Sequence, residues 1–306
     1  MTMLENAENY INLKQRLGYR FVDQSLTLRL YAEFADAAGD EFTSTERIVE
    51  WARGAVSSHR SREWLSVARN FAIAMHAEDD RNEVPPRDIF GRAKRPRPSP
   101  HIIAPSDIAK IMEAALLVPP IASITPHTYH YLIGLIASTG LRISEALSLL
   151  LDDITPDGLL IRETKFRKTR LVPIHESTRS ALDEYLKVRQ IIGGRDPHLF
   201  VISTGKPPDR STASRTFAQL ARMVGIRGSK GERGPRVHDL RHSFAVRSLE
   251  QCGNDRTAIK KHMPSLCTYL GHAGPSETYW YLEATPVLMR QIATSAEACS
   301  SGGKHD

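Results

Sequence analysis

The sequence is poor in cysteine. Three residues, Cys252, Cys267 and Cys299, stand among 306, and no CxxC pair occurs. That spacing gives neither a disulfide framework nor a thiolate metal site, so a reducing compartment, the cytoplasm, is expected. Met1 to Tyr10 carries acids and no apolar run, which excludes a signal peptide there. No stretch approaches the roughly 18 consecutive apolar residues of a membrane span, so no membrane partner is expected. No internal repeat is present, which argues against a solenoid. Strong charge bias is also missing. Lys+Arg 41 against Asp+Glu 35 gives +6 and a pI of about 9.3, which permits a nucleic-acid partner without requiring one.

What is present divides the chain in two. Residues 1 to about 90 read as an all-helical unit. Leu26 to Ala38 has apolar residues at helical spacing, with Ser25 as its cap and Gly39 as its stop. Ser61 to Ala77 places Trp64, Leu65, Ala68, Phe71, Ala72 and Met75 on one face. Residues 91–100 form a basic, Pro-rich linker whose Arg92, Lys94, Arg95 and Arg97 face no acids; it suits a strap along DNA phosphates or a plain solvated connector. The second domain spans 101–299, and residues 300–306 read as a disordered tail. Helices are expected over Ile108–Leu117, Thr125–Ser138, Ile143–Leu150, Ser177–Ile192 and Ser211–Val224, and again from Val237. Short strands are expected over Leu159–Glu163 and Arg170–Ile174, with a turn at Thr164–Thr169. The fold class is therefore mainly α with a small antiparallel sheet.

Several segments carry chemistry. A phosphodiester under attack gains charge on its non-bridging oxygens, and guanidinium groups meet that charge with paired, directed donors. Arg142 follows Gly140-Leu141 at a helix junction. His238 and Arg241 are three apart on an expected helix, with Val237, Leu240 and Phe244 on its buried side. His272 follows Leu270-Gly271, and Tyr281 lies nine residues on. A tyrosine has an ordinary pKa of about 10, so as a nucleophile it needs cations or a proton acceptor nearby. Lys165, in Thr164-Lys165-Phe166-Arg167-Lys168-Thr169-Arg170, sits on the expected turn, where a general acid for a leaving oxygen could stand. Each of these alone reads sooner as a surface arginine, a structural histidine, a core tyrosine or a solvated turn. His238 and His242 also have a metal-binding spacing, but no third ligand lies nearby in sequence, so no metal or other cofactor is expected.

Together the segments resemble the tyrosine recombinase family of phage integrases and Xer proteins. Thr139-Gly140-Leu141-Arg142-Ile143-Ser144-Glu145 is similar to the family's first-arginine motif. Lys165 ahead of Arg170-Leu171-Val172-Pro173 falls where the hairpin lysine sits, and His238-Asp239-Leu240-Arg241 matches the HxxR box. Leu270-Gly271-His272 and Tyr281 fall on the later histidine and the nucleophile. The likeness spans about residues 101 to 296, and five motifs in the right order are far more specific than any one.

The resemblance implies a helical core-binding domain and a catalytic domain closing as a clamp on double-stranded DNA, in a homo- or hetero-oligomer. It implies that Tyr281 forms a 3′-phosphotyrosyl link, that Arg142 and Arg241 bind the phosphate, that His238 and His272 assist, and that Lys165 acts as general acid. Arg167, Lys168, Arg233 and Arg236 join the linker cations as expected DNA contacts. Integration, excision or transposition of a mobile element would be the setting, and the Tyr279–Pro286 run resembles recombinases encoded in threes within such elements. Tyr279 competes with Tyr281, and Lys168 with Lys165. The segment from Cys252 to Ser265 looks like an insertion relative to compact members. The alternative is a DNA-binding accessory protein of such an element that has no catalysis of its own.

Overall fold

The computed structural model describes residues 2–91, 100–162, 169–253 and 256–271. The chain divides into two units, Met1–Arg97 and Pro98–Asp306.

In the first unit, four helices close around aromatic side chains: α1 (Met3–Arg16), α2 (Val22–Ala37), α3 (Thr45–Arg53) and α4 (Ser58–Glu78). Local capping sets their starts. The Thr2 hydroxyl accepts from the Glu5 N–H and the Glu5 carboxylate accepts from the Thr2 N–H. The Ser44 hydroxyl caps α3 through the Arg47 N–H. Buried Tyr31, Trp51, Phe71 and Leu28 fill the centre, and Trp51 stacks on Trp64 at 4.5 Å between ring centroids. Leu65, Ala68, Phe71, Ala72 and Met75 of α4 all face this core, as their spacing indicates. One boundary differs. Ser25 does not cap α2; it is buried within the helix and its hydroxyl bonds back to the Val22 carbonyl. The helix instead starts one turn earlier, after Phe21 at φ 46°.

The second unit contains α5 (Pro105–Ala115), α6 (Thr125–Thr139), α7 (Ile143–Leu147), β1 (Ile154–Thr155), β2 (Gly158–Ile161), β3 (Arg170–Val172), α8 (Glu176–Ile192), α9 (Arg210–Met223), α10 (Val237–Glu250) and α11 (Arg256–Leu270). The mainly helical fold with a small antiparallel sheet is as the sequence indicates. Strand order is β1-β2-β3, with Leu159 opposite Val172 and Ile161 opposite Arg170. Leu159, Ile161 and Val172 point to the core. β1 escapes sequence reading because two residues carry no periodicity. The apolar helix α6 lies at the centre and packs on α5, α8 and α10. A second apolar cluster joins α10 to α11 through Ala245, Val246, Leu249, Met263, Leu266 and Leu270. Arg256–Ser265, most of the segment read as an insertion, is thus the first part of a helix packed on α10. Among the described residues no helix is long and apolar enough to cross a membrane.

Candidate active site

The site is built where four segments meet at the C-terminal end of α11. Gly140 ends α6 in the left-handed region, at φ +64°, and turns the chain sharply so that Arg142 caps the start of α7. A Cβ there would lie 2.5 Å from Phe244 Cδ1 and 2.9 Å from Leu270 Cδ2. Gly140→Ala is therefore expected to destabilise the fold by about 2–4 kcal/mol, from left-handed strain plus overpacking. Urea unfolding checks this, and a loss under 1 kcal/mol would refute it.

The last carbonyls of a helix lack intrahelical partners and carry its negative dipole end. At the end of α11 three consecutive carbonyls are taken by three arginines from three other elements. Tyr269 O accepts from Arg170 Nε at 3.0 Å, Leu270 O from Arg241 Nη2 at 2.7 Å, and Gly271 O from Arg142 Nη2 at 2.9 Å. Arg241 also donates Nη1 to Gly140 O at 2.8 Å, so it ties the end of α6 to the end of α11. It is 1% exposed. The sequence pattern puts Val237, Leu240 and Phe244 on the buried side of α10. The structure buries Arg241 more deeply than any of these but Leu240, because two carbonyls compensate its desolvation. Arg142 is half-buried.

Glu145 organises the arrangement. Its carboxylate is buried, and it accepts from Arg142 Nη1 at 2.8 Å, the Arg142 backbone N–H at 3.0 Å, and Arg170 Nη1 and Nη2 at 3.1 and 2.9 Å. Burial opposes its ionisation, but the Arg170 and Arg142 bonds outweigh that and hold its carboxyl below the ordinary range. Sequence reading gave Glu145 and Arg170 no role. The only signal was Glu145's spacing of three from Arg142, that of an ordinary helix cap.

His238 and His242 stand one turn apart on α10, with ring centroids 4.5 Å apart and planes at 81°. His238 is exposed. Desolvation by the surrounding protein, then the charges of Arg241, Arg236 and Arg142, push its imidazole down to about 4, against the pull of Asp239. His242 is buried, and desolvation followed by His238 lowers it to about 3. Both are neutral near pH 7. The unfolded chain titrates His near 6.5, so between pH 6.5 and about 3 it binds more protons than the folded chain. Stability is complete above pH 6.5 and declines as pH falls through that window. The His242 contribution to this loss is about 2 kcal/mol by pH 5. Urea midpoints at pH 7.5 and 5.0 for the wild type and His242→Gln measure it; equal pH dependence in the two would exclude His242 as the source.

Of the expected DNA-contacting cations, Arg233 and Arg236 are exposed in the loop before α10. Arg236 also pairs with buried Asp239, accepting the constraint of its own helix start. Arg227 of the same loop is half-buried and donates to the Gly234 and Pro235 carbonyls. Arg142, His238 and Arg241 are brought together. Lys165, Arg167, Lys168, His272, Tyr279, Tyr281 and the linker residues Arg92, Lys94, Arg95 and Arg97 lie outside the described residues.

Residues 102–286 match the phage integrase family. The chain belongs to that family. The integrase domain covers all four segments that meet at the end of α11. A protein named integrase/recombinase y4rB from Sinorhizobium fredii is 35% identical over 97% of both chains. Tyrosine recombinase XerC of Thermodesulfovibrio yellowstonii is 28% identical over 91% of this chain and 92% of its own. In fold, this integrase-family chain is similar to the XerH site-specific recombinase bound to palindromic difH substrate in a post-cleavage complex. That match has a TM-score of 0.66 at 19% identity, over 96% of this chain and 85% of the other.

Proposed function

We propose that this chain is a site-specific DNA recombinase that cleaves and rejoins strands through a 3′-phosphotyrosyl intermediate, in the integration, excision or transposition of a mobile element. The observation that carries the reading is the placement of Arg142 and Arg241 on adjacent carbonyls, with neutral His238 beside them. Family membership supports it, as do relatives named for recombination.

In this reading the Tyr281 phenol gives its proton to a neutral imidazole, His238 or His272, as its oxygen attacks the scissile phosphorus. The phosphorus–O5′ bond breaks, the leaving oxygen takes a proton from Lys165, and the 3′ end stays on the tyrosine. Arg142 faces the phosphate directly, while Arg241 supplies fixed positive charge from a dry position, where it acts strongly on developing negative charge. His238 and His272 donate to or exchange protons with the phosphate oxygens. A 5′-hydroxyl from a partner strand then attacks the phosphotyrosine and releases Tyr281. Bond energy is retained throughout. The first unit acts as the core-binding domain, 101–299 as the catalytic domain, and the linker cations run along phosphates. One chain brings one nucleophile, and exchanging two duplexes takes four cleavages, so copies of this chain or of partner recombinases assemble on DNA in the cytoplasm.

The test is a covalent protein–DNA adduct, read on a denaturing gel. The substrate is a nicked duplex selected by the chain from a random-sequence library. The adduct is expected to form equally in EDTA. No adduct, with binding intact, would leave the accessory DNA-binding reading; loss in EDTA would point to a metal nuclease built on His238 and His242.

A further inference from the structure

We propose that Arg170 is a positioning residue for strand cleavage, sharing Glu145 with Arg142 and holding the end of α11 so that Arg142 stays available to the phosphate. The inference rests on the recombinase reading above and adds a residue to the six assigned there.

The argument starts from the carboxylate. All four bonds to Glu145 come from two arginines, two of them from Arg170. Without Arg170 the buried carboxylate would have Arg142 as its cationic partner. A one-to-one buried pair cancels the charge of Arg142 and turns its donors towards Glu145. Two guanidinium groups on one carboxylate leave a net positive charge at that point. The second observation is independent of the carboxylate. Arg170 Nε holds Tyr269 O, one residue before the carbonyl that Arg241 grips and two before the one that Arg142 grips. A single side chain therefore sets both the carboxylate that orients Arg142 and the helix end on which both arginines rest. The third is steric. Gly271 stands at φ +65°, a conformation that favours glycine, and it packs against the Arg170 guanidinium, so that a Cβ on it would lie 2.7 Å from Nη1 and push that group aside. β3 supplies the rigidity, with Arg170 paired opposite Ile161. The Arg170 side chain is 13% exposed, too buried to serve as a surface cation for DNA. Lysine cannot replace three directed donors.

The experiment uses the full chain and the nicked, library-selected duplex at saturating concentration. Arg170→Ala is expected to slow single-turnover adduct formation about 100-fold, the scale of one lost preorganising donor set. DNA affinity is expected to stay within about threefold. The double variant Arg170→Ala/Glu145→Gln should recover at least about fivefold of the rate, because the unshared carboxylate is gone; a purely structural role predicts further loss instead. Should Arg170→Ala fail to fold, Arg170→Lys is read the same way, with a loss of at least about tenfold expected. Cleavage by Arg170→Ala within threefold of wild type, or a double variant no faster than the single, overturns the proposal. Absence of adduct with the wild-type chain removes the recombinase reading itself, which separates the two failures.

Discussion

Tyr281→Phe is expected to abolish the covalent adduct on a nicked duplex, by at least about 10⁴-fold, while DNA affinity stays within about twofold. The change conserves the ring and removes a single oxygen. What disappears is the oxygen that, in the proposed mechanism, becomes the new ester to phosphorus. A misplacement of about 1 Å at a reacting atom already costs on the order of 100-fold, so another hydroxyl is a poor substitute. Tyr279→Phe should leave the adduct in place. The same denaturing gel reads both variants, and a surviving adduct in Tyr281→Phe, lost in Tyr279→Phe, would reassign the nucleophile.

Arg241→Ala should fail in two ways at once. Under the proposed mechanism it removes a fixed charge that acts on the phosphate, worth about 10²–10³-fold in cleavage. It also strips the Gly140 and Leu270 carbonyls of their donor. Each unsatisfied buried carbonyl costs about 1–3 kcal/mol, so a loss of about 2–5 kcal/mol in urea unfolding is expected. Arg241→Lys should recover little of either, because one ammonium cannot span two carbonyls presented by different helices. By contrast Arg142→Ala, with a half-buried side chain, should lose cleavage with a smaller loss of stability. Equal stability losses for the two would contradict the division between a buried tie and an accessible donor.

The fold class and most helices were legible in the sequence, because apolar spacing is local information. Leu65, Ala68, Phe71, Ala72 and Met75 announce a buried helix face from their order alone. Arg142, His238 and Arg241 were legible too, through a short motif around each. The rest of the site was not. That Glu145 is held by Arg170, 25 residues away, depends on the register of β2 against β3. That Arg241 is buried depends on carbonyl groups, which every residue carries and no sequence distinguishes. Ser25 looked like a helix cap because serine favours that position, and tertiary packing moved the boundary. The segment from Cys252 to Ser265 gave no sign in sequence of where α11 begins, since Pro264 interrupts the helical pattern there.

The bonds that close the site join residues 99, 101 and 129 positions apart in the chain. At a synthesis rate of about 5–20 residues per second, Arg142 waits about 6–26 s on the ribosome before Gly271 is made. During that time α6, α7 and the sheet have no α11 to grip, and the guanidinium groups have no common anchor. A nascent or truncated chain therefore has the three arginines but not the helix end that gathers them, and under the proposed function the order of translation itself would keep unfinished copies from cutting DNA.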